Sequence, residues 1–416
     1  MTNTAVSSGK PQHIRAEVAI VGAGLVGGTL ACALARFGVK TVVIDRMDPV
    51  AAMSPAFDGR ASAVALSARR LLDAIGLWEH VPAFAPIREI RVSDGQSPFF
   101  LHYDHADLGT DPLGFMAENR HLRAGIAGAM QTLGGHLTVI TPASVAAMSQ
   151  SADDITLTLE DGCTVTAKLA VSAEGRGAKL REMAKIPLTG WSYAQTAIVA
   201  TIGHARPHDG IAHERFLSAG PFAILPLPDD NGVHRSSLVW TERADTAADY
   251  LALPEDAFVA EIAERVGGFL GDLSLIGPRF SYPLGLQFAA RYTDGRLVLA
   301  GDAAHGIHPI AGQGLNLGYR DVAALTEIIV DAKALGLDLA HPEGMARYQR
   351  WRRADNLLMA GVTDVLNRLF SNDIAPVRMA RDVGLGIVNR IPPLKKLLMR
   401  HAMGTVGDLP RLMRGA

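Results

Sequence analysis

The segment from Glu17 to Asp45 constrains the fold more than any other. Glu17-Val18-Ala19-Ile20-Val21 is strand-like, Gly22-Ala23-Gly24-Leu25-Val26-Gly27 follows, and an apolar helical pattern runs to Gly38 before Thr41-Val42-Val43-Ile44-Asp45. Short apolar runs bounded by turn residues read as buried strands. Strand, helix and strand at this spacing make a βαβ unit and require a parallel sheet covered on both faces. In such a unit the first glycine permits a tight turn, the second the approach of a pyrophosphate, and the third close packing of helix on strand. Asp45, ending the second strand, is positioned to take the two hydroxyls of an adenosine ribose. Glycines serving packing alone are the plain alternative, and the fingerprint by itself does not separate NAD from FAD.

A second glycine-rich junction lies near residue 300. Arg296-Leu297-Val298-Leu299-Ala300 reads as a strand, followed by Gly301-Asp302-Ala303-Ala304-His305 and by the run from His308 to Asp321. That run opens onto Val322, Leu325, Ile328 and Ile329 at helical spacing. A helix start of this kind offers a carboxylate, bare backbone N–H groups and a positive dipole end to one ligand. Asp302 reads equally as a simple helix cap. A second complete dinucleotide fingerprint, expected of a duplicated two-nucleotide reductase, is missing. One resident cofactor clasped by both junctions follows, and FAD fits: adenosine at Asp45, pyrophosphate at Gly22 to Gly27, ribityl chain and ring near Asp302 to Asn316.

With 416 residues, 48% of them hydrophobic, the chain is long enough for two connected domains and a C-terminal appendage. A formal net charge of −2 and the lack of a basic, aromatic-interleaved block argue against nucleic acid as a partner. The two cysteines, Cys32 in a helical pattern and Cys163 in a polar strand, show no metal or redox spacing, which fits the reducing cytoplasm. Met1 to Arg15 has no secretory pattern and reads as a disordered tail. Val18 to Ala35 is uncharged but interrupted by glycines, so it reads as strand, turn and helix rather than a membrane span.

Short alternating strands with turn signals occupy Ile90 to Leu113 and Trp191 to Leu286, and from Met345 the pattern is helical, with Pro392-Pro393 expected to break its last section. The fold class is therefore α/β: a Rossmann-like FAD-binding domain (16–89, 115–190, 287–350), an inserted β-sheet substrate domain (90–114, 191–286) and a C-terminal helical segment (351–416).

The glycine fingerprint, Gly301-Asp302 and an intermediate Glu174-Gly175 together resemble the single-component flavin monooxygenases of the para-hydroxybenzoate hydroxylase fold. His308-Pro309 through Asp321 resembles the signature of the ubiquinone-biosynthesis flavin hydroxylases. Similarities at Asp58-Gly59-Arg60, Glu118-Asn119, Trp191 to Gln195, Glu214-Arg215-Phe216 and Gly220 to Leu227 support it. The resemblance implies resident FAD, NAD(P)H and dioxygen as co-substrates, and hydroxylation of a prenylated phenol by oxygen from a flavin C4a-hydroperoxide. It implies partners in a ubiquinone-biosynthesis complex and a place on the inner face of the membrane.

It also puts Asp302 on the ribityl or pyrophosphate side, Pro309, Gly312, Gln313, Gly314, Leu315 and Asn316 around the ring, and Arg60 and Asn119 near the flavin or its phosphates. The N–H groups of Gly314 and Leu315 would stabilise the anionic reduced ring. Arg60 as the partner of Asp58, and Asn119 as an N-cap before Leu122, are equal alternatives. Glu174 stands where the family has aspartate and Ala178 where it has serine, while Arg181 matches; Glu174 is expected to help hold flavin or reductant.

His305 and His308 are expected to make structural bonds to backbone carbonyls rather than to act as acid or base, and no metal cluster or Ser/His/Asp arrangement is legible. Phe222, Ile224, Leu225 and Trp240 are candidates to line a substrate pocket, although sheet core is the commoner fate of each. From Gly361 to Ala416 there are nine Lys or Arg against four Asp, and Ile391 to Arg400 reads as a basic amphipathic helix. Such a helix suits an anionic membrane surface, or equally packing on the domain or a partner. Two rival functions stay open: a hydroxylase of a small soluble phenol, and a catalytically idle FAD-holding subunit.

Overall fold

Val18–Val21 and Thr41–Ile44 are strands whose residues are all buried, running parallel in register from Val18 opposite Thr41 to Val21 opposite Ile44. Helix Leu25–Arg36 joins them. The computed structural model describes residues 12–415 except 55–57, 96, 98–99, 372–380, 382–383 and 385. Around the βαβ unit a six-stranded sheet assembles from distant segments, in the order 293–294, 297–299, 169–172, 18–21, 41–44, 137–140, all parallel but for the antiparallel edge at 293–294. Parallel strands are hidden on both faces, which accounts for their continuous apolar runs. One face is covered by the first helix and by Gly314–Ala334; a Cβ added at Gly318 would come within 2.6 Å of Val26 Cγ2, so these helices cross at glycine.

An eight-stranded sheet carries the order 305–306, 273–289, 188–204, 233–243, 220–230, 211–217, 89–94, 100–104. Its strand 89–94 runs parallel to 211–217 and antiparallel to 100–104, drawing an early pair of strands into a sheet otherwise built from residues beyond 188. The hairpin turn after Asp230 places Asn231 at φ 50° and Gly232 at φ 79°, the left-handed pair that a tight two-residue turn demands. Two smaller sheets complete the strands: 61–65 and 85–87 on either side of 114–118, and 13–15, 164–167, 155–159, 145–150.

Two expectations change here. Residues 1–11 of the expected tail lie outside the described residues, but His13–Arg15 is a strand paired in parallel with Thr164 to Thr166. Cys163 lies just before strand 164–167 rather than in a polar strand, and is buried in the main core. Pro392-Pro393 breaks the last helical section as expected: residues 386–390 are helical, Ile391 is not, and a new helix, Pro392–Ala402, begins at the prolines, whose missing N–H costs nothing in a first turn. The long helix Pro342–Phe370 precedes it. Among the described residues no helix is long and apolar enough to cross a membrane.

Candidate functional site

The carboxyl ends of strands 18–21, 41–44, 169–172 and 297–299 share one edge of the parallel sheet, where open α/β sheets bind ligands. There they meet a single continuous cavity of about 1020 Å³. Gly22, Gly24, Asp45, Arg60, Asn119 and Asp302 all line it, as do Pro309, Gly312, Gln313, Gly314, Leu315 and Asn316. Of the expected binding residues Gly27 alone lies outside the lining, for a local reason.

The glycines divide their duties by sterics. Gly22 has φ +101°, and a Cβ on it would lie 2.4 Å from the Ala173 carbonyl oxygen. A Cβ on Gly27 would lie 1.9 Å from the Gly22 oxygen, so this residue packs helix on turn. Gly24 has nothing within 4 Å of its would-be Cβ and faces the cavity. Asp45 Oδ2 accepts from the Ala23 N–H, and Oδ1 accepts from the Met47 N–H at 2.7 Å. The carboxylate thus braces the turn while each oxygen keeps a lone pair for a ligand hydroxyl.

At the other end, Gly314 opens a helix of 21 residues without a side-chain cap from Gln313, so its first-turn amides have no intrahelical acceptor. Asn316 staples that start to strand 61–65: Oδ1 accepts from Ala65 N–H at 2.9 Å and Nδ2 donates to the Ala63 carbonyl at 2.9 Å. Asp302 lies in a short turn, Gly301–Ala303, separated from the long helix, and its half-exposed carboxylate caps no helix among the described residues. The cap reading of Asp302 therefore fails. Arg176 is 3.9 Å from it.

Arg60 and Asn119 meet on Asp58, which is buried. Arg60 donates to both Asp58 oxygens at 2.9 Å, Arg123 to Oδ2 at 2.7 Å, and Asn119 Nδ2 to Oδ2 at 3.1 Å. Burial alone would raise the Asp58 carboxyl, but these guanidinium groups hold it well below the usual carboxylate range. Arg60 is thus both the ion-pair partner of Asp58 and part of the cavity wall, its guanidinium 4.8 Å from the Tyr282 ring centroid. The N-cap reading of Asn119 is overturned: it is the first helical residue after Glu118, and Ser62 Oγ donates to its Oδ1 at 2.7 Å. Arg123 was missed in the sequence; its spacing of four from Asn119, which puts both on one helix face, was the available signal.

Glu174 lines the cavity but is chiefly a local brace. It accepts from Ser172 Oγ at 2.8 Å and from the N–H groups of Lys179 and Leu180 at 3.1 Å each, capping helix Lys179–Met183. Arg181, buried, donates to the carbonyls of Ala303 at 3.0 Å and Arg176 at 2.7 Å, pinning the Asp302 turn.

His305 does not bond a backbone carbonyl as expected. Its Nε2 lies 2.6 Å from Oδ2 of buried Asp321, which also accepts from Gly301 N–H at 2.9 Å. Sequence separation hid this pair; only the helix return brings Asp321 back to the turn. His308 is fully buried, accepts from Ile310 N–H through Nδ1 at 3.3 Å, and has no partner for Nε2 among the described residues. Burial pushes its pKa down to about 4, so the ring is neutral. Among the described residues Glu89, His102 and Asp104 could converge on a cation, but Glu89 already pairs with Arg91 at 2.8 Å and His102 at 2.9 Å.

Past the glycine-rich loop the cavity opens over one face of the eight-stranded sheet. Its walls there are apolar: Ile90, Leu101, Phe216 and Leu225 from the sheet, and Leu366, Phe370, Val388 and Leu398 from the C-terminal helices. Of the four expected pocket residues only Leu225 lines it. Phe222, Ile224 and Trp240 point to the opposite face, into a separate core with Ile198, Leu238 and Phe258. Alternation along a strand decides this, since residues one apart face opposite ways.

These features fit FAD. A glycine turn with open space before Gly24, a ribose-ready carboxylate, an uncapped helix start and a connecting groove belong to one cavity. Residues 15–355 match the FAD-binding-domain family. The chain is 54% identical over 404 residues to the ubiquinone hydroxylase UbiL of Rhodospirillum rubrum, covering 96% of this chain and 93% of that one. It is 34% identical over 395 residues to the 3-demethoxyubiquinol 3-hydroxylase of Escherichia coli, covering 93% and 98%. In fold it is similar to the p-nitrophenol 4-monooxygenase PnpA of Pseudomonas putida, with TM-score 0.76, 20% identity, and 97% and 99% of the two chains covered. The groove from Asp45 to Asn316 and these matches lead to one conclusion: the chain belongs to the FAD-binding-domain family, among the relatives of the ubiquinone hydroxylases, and is an FAD-dependent monooxygenase.

Proposed function

We propose that the protein hydroxylates the ring of a polyprenylated phenol in ubiquinone biosynthesis, with NAD(P)H and dioxygen as co-substrates. The observation that carries this reading is the continuity of the cofactor groove with the apolar chamber bounded by Phe216, Leu366, Phe370 and Leu398. Burying one five-carbon isoprene unit against such walls contributes about 4 kcal/mol at ~0.8 kcal/mol per carbon. A small phenolic acid makes no use of that surface.

In this reading Asp45 takes the ribose hydroxyls, Gly24 and the first-turn amides of Leu25–Arg36 take the pyrophosphate, and Asp302 meets the ribityl chain. Pro309, Gly312, Gln313, Gly314, Leu315 and Asn316 surround the ring, with Arg60 and Asn119 on the opposite wall. Bound there, FAD supplies the redox and oxygen-activating chemistry. The chain's own work is to orient the ring, to exclude water, and to set the N–H groups of Gly314 and Leu315 against negative charge on the cofactor.

The C-terminal helices give the reading a location. Their inner residues wall the chamber, while Leu358, Val362, Val365, Ile391, Leu394 and Leu397 are exposed on the outside, beside exposed Arg390, Lys396 and Arg400. An apolar surface rimmed by cations suits an anionic membrane, the reservoir of a tailed substrate. Docking of other subunits of a biosynthetic complex is the competing use of that surface, and bare vesicles separate the two.

The test is turnover. FAD-loaded protein should oxidise NAD(P)H faster with 2-farnesylphenol than with phenol. Equal stimulation by p-hydroxybenzoate would move the assignment to a soluble phenol, and stimulation by neither would leave a flavin-holding subunit.

A further inference from the structure

The chamber wall contributed by the large sheet is apolar with few exceptions, and one exception is a carboxylate. Residues 212, 214 and 216 share a face of strand Ile211–Leu217 by alternation. Ala212 and Phe216 are buried there in one cluster with Leu101, Tyr103 and Leu227, so Glu214 projects from between them toward the chamber. Its neighbours in register are Val92 on one strand and Ala223 on the other, both chamber-lining.

Tyr103 stands near it on the same wall. Register places Tyr103 opposite Ile90 and Ile90 opposite Ala212, so Tyr103 and Glu214 are two strands and two residues apart. Both residues line the same chamber, near enough for the charge of one to act on the other. The Tyr103 ionisation is pushed up to about 12, by burial first and then by the negative charge of Glu214. The phenol of Tyr103 is therefore neutral, and its hydroxyl makes no hydrogen bond among the described residues. Farther along the wall the fully buried Thr241 hydroxyl also has no partner among the described residues. The Tyr103 and Thr241 hydroxyls thus equip the wall for a ligand that carries oxygen into an apolar space.

We propose that Glu214 and Tyr103 recognise the ring hydroxyl of the phenol and thereby set which ring carbon faces the flavin. The inference rests on the phenol reading given above. A phenolic hydroxyl is at once donor and acceptor: Glu214 accepts from its O–H, and Tyr103 donates to its oxygen. A hydrogen bond to a carboxylate is charge-assisted and draws the O–H toward ionisation, raising electron density at the ortho and para carbons that an electrophilic oxygen seeks. The proton stays shared between the two oxygens, so no net transfer is needed. With the hydroxyl held on the sheet and the tail directed to Leu366, Phe370 and Leu398, the ring has one orientation left.

The experiment compares 2-farnesylphenol with farnesylbenzene, which lacks only the hydroxyl, by the perturbation each causes in the flavin absorption of the full-length, FAD-loaded protein. The native protein should bind the phenol about 10- to 100-fold more tightly. Glu214→Gln should reduce that ratio about tenfold and Tyr103→Phe about threefold, with FAD occupancy unchanged in both. Tyr103→Phe removes an oxygen with no protein partner among the described residues, so it serves even where Glu214→Gln folds poorly. A ratio that stays at the native value in the variants overturns the inference while leaving the phenol reading intact. A native protein that binds neither compound overturns both.

Discussion

Arg352 donates from Nε to Oδ1 of Asp321 at 2.7 Å, and both side chains are fully buried. The bond ties the long C-terminal helix to the helix that starts at the flavin loop. Asp321 passes the constraint on through Gly301 N–H and His305, to the turn that holds Asp302. Burial would raise the Asp321 carboxyl, but His305 and Arg352 bring it below its ordinary value. Removing one partner of such a pair strands the other charge. Arg352→Met should therefore destabilise the protein by about 3–5 kcal/mol, seen as a lower urea midpoint. A midpoint matching the native protein would show that Asp321 is satisfied without it.

The glycines of the first turn should separate folding from cofactor binding. Gly27→Ala puts a methyl against the Gly22 oxygen and should lower thermal stability even without FAD. Gly24→Ala meets open space and should fold as well as the native apoprotein, yet lose FAD affinity by roughly tenfold or more, since each ~1.4 kcal/mol is tenfold. Equal effects of the two on apoprotein melting would contradict this division.

Asp302 caps no helix among the described residues and is half-exposed, so Asp302→Ala should leave the urea midpoint of the apoprotein within about 0.5 kcal/mol of native. FAD retained after gel filtration should nevertheless fall. Full occupancy in the variant would remove Asp302 from the cofactor's contacts.

His308 makes stability depend on pH. Burial lowers its pKa from 6.5 to about 4, so between those values the unfolded chain binds a proton that the folded chain does not. Its contribution is complete above pH 6.5 and is lost as pH falls toward 4, amounting to about 2 kcal/mol at pH 5. His213, also lowered to about 4 by burial, adds a loss of the same sign. His308→Asn keeps an acceptor for Ile310 N–H without titrating. Denaturant midpoints at pH 7 and pH 5 should then differ by about 2 kcal/mol less in the variant than in the native protein.

The membrane reading calls for surface changes rather than truncation. Deleting 361–416 would remove Phe370, Met399 and Met413, all buried, and unfold what it meant to test. Leu358→Glu combined with Val365→Glu alters only exposed positions and should cut sedimentation with anionic lipid vesicles several-fold. Unchanged sedimentation would assign the surface to a protein partner.

The two ends of the cofactor groove were legible because each depends on local chemistry. A Gly-x-Gly-x-x-Gly turn between strand and helix, and an uncapped glycine-rich helix start, are short-range arrangements that periodicity and backbone sterics write directly into the chain. The family was legible for the same reason. For Asn119 only the N-cap alternative fails: a helix-start asparagine usually caps, but here the buried Asp58 claims its side chain. The histidines lacked visible partners because Asp321 returns to His305 only after a helical excursion.

By itself the sequence determined the βαβ unit, its dinucleotide turn, the second glycine-rich junction and the α/β class. The tertiary structure alone decided which face of each sheet strand meets the chamber, since a shift of one residue sends Leu225 inward and Ile224 outward. It alone decided that Glu214, Tyr103, Leu366 and Leu398, far apart in the chain, enclose one space. The physical reason is range: backbone conformation answers to neighbouring residues, whereas burial and charge pairing answer to whatever the folded chain brings alongside.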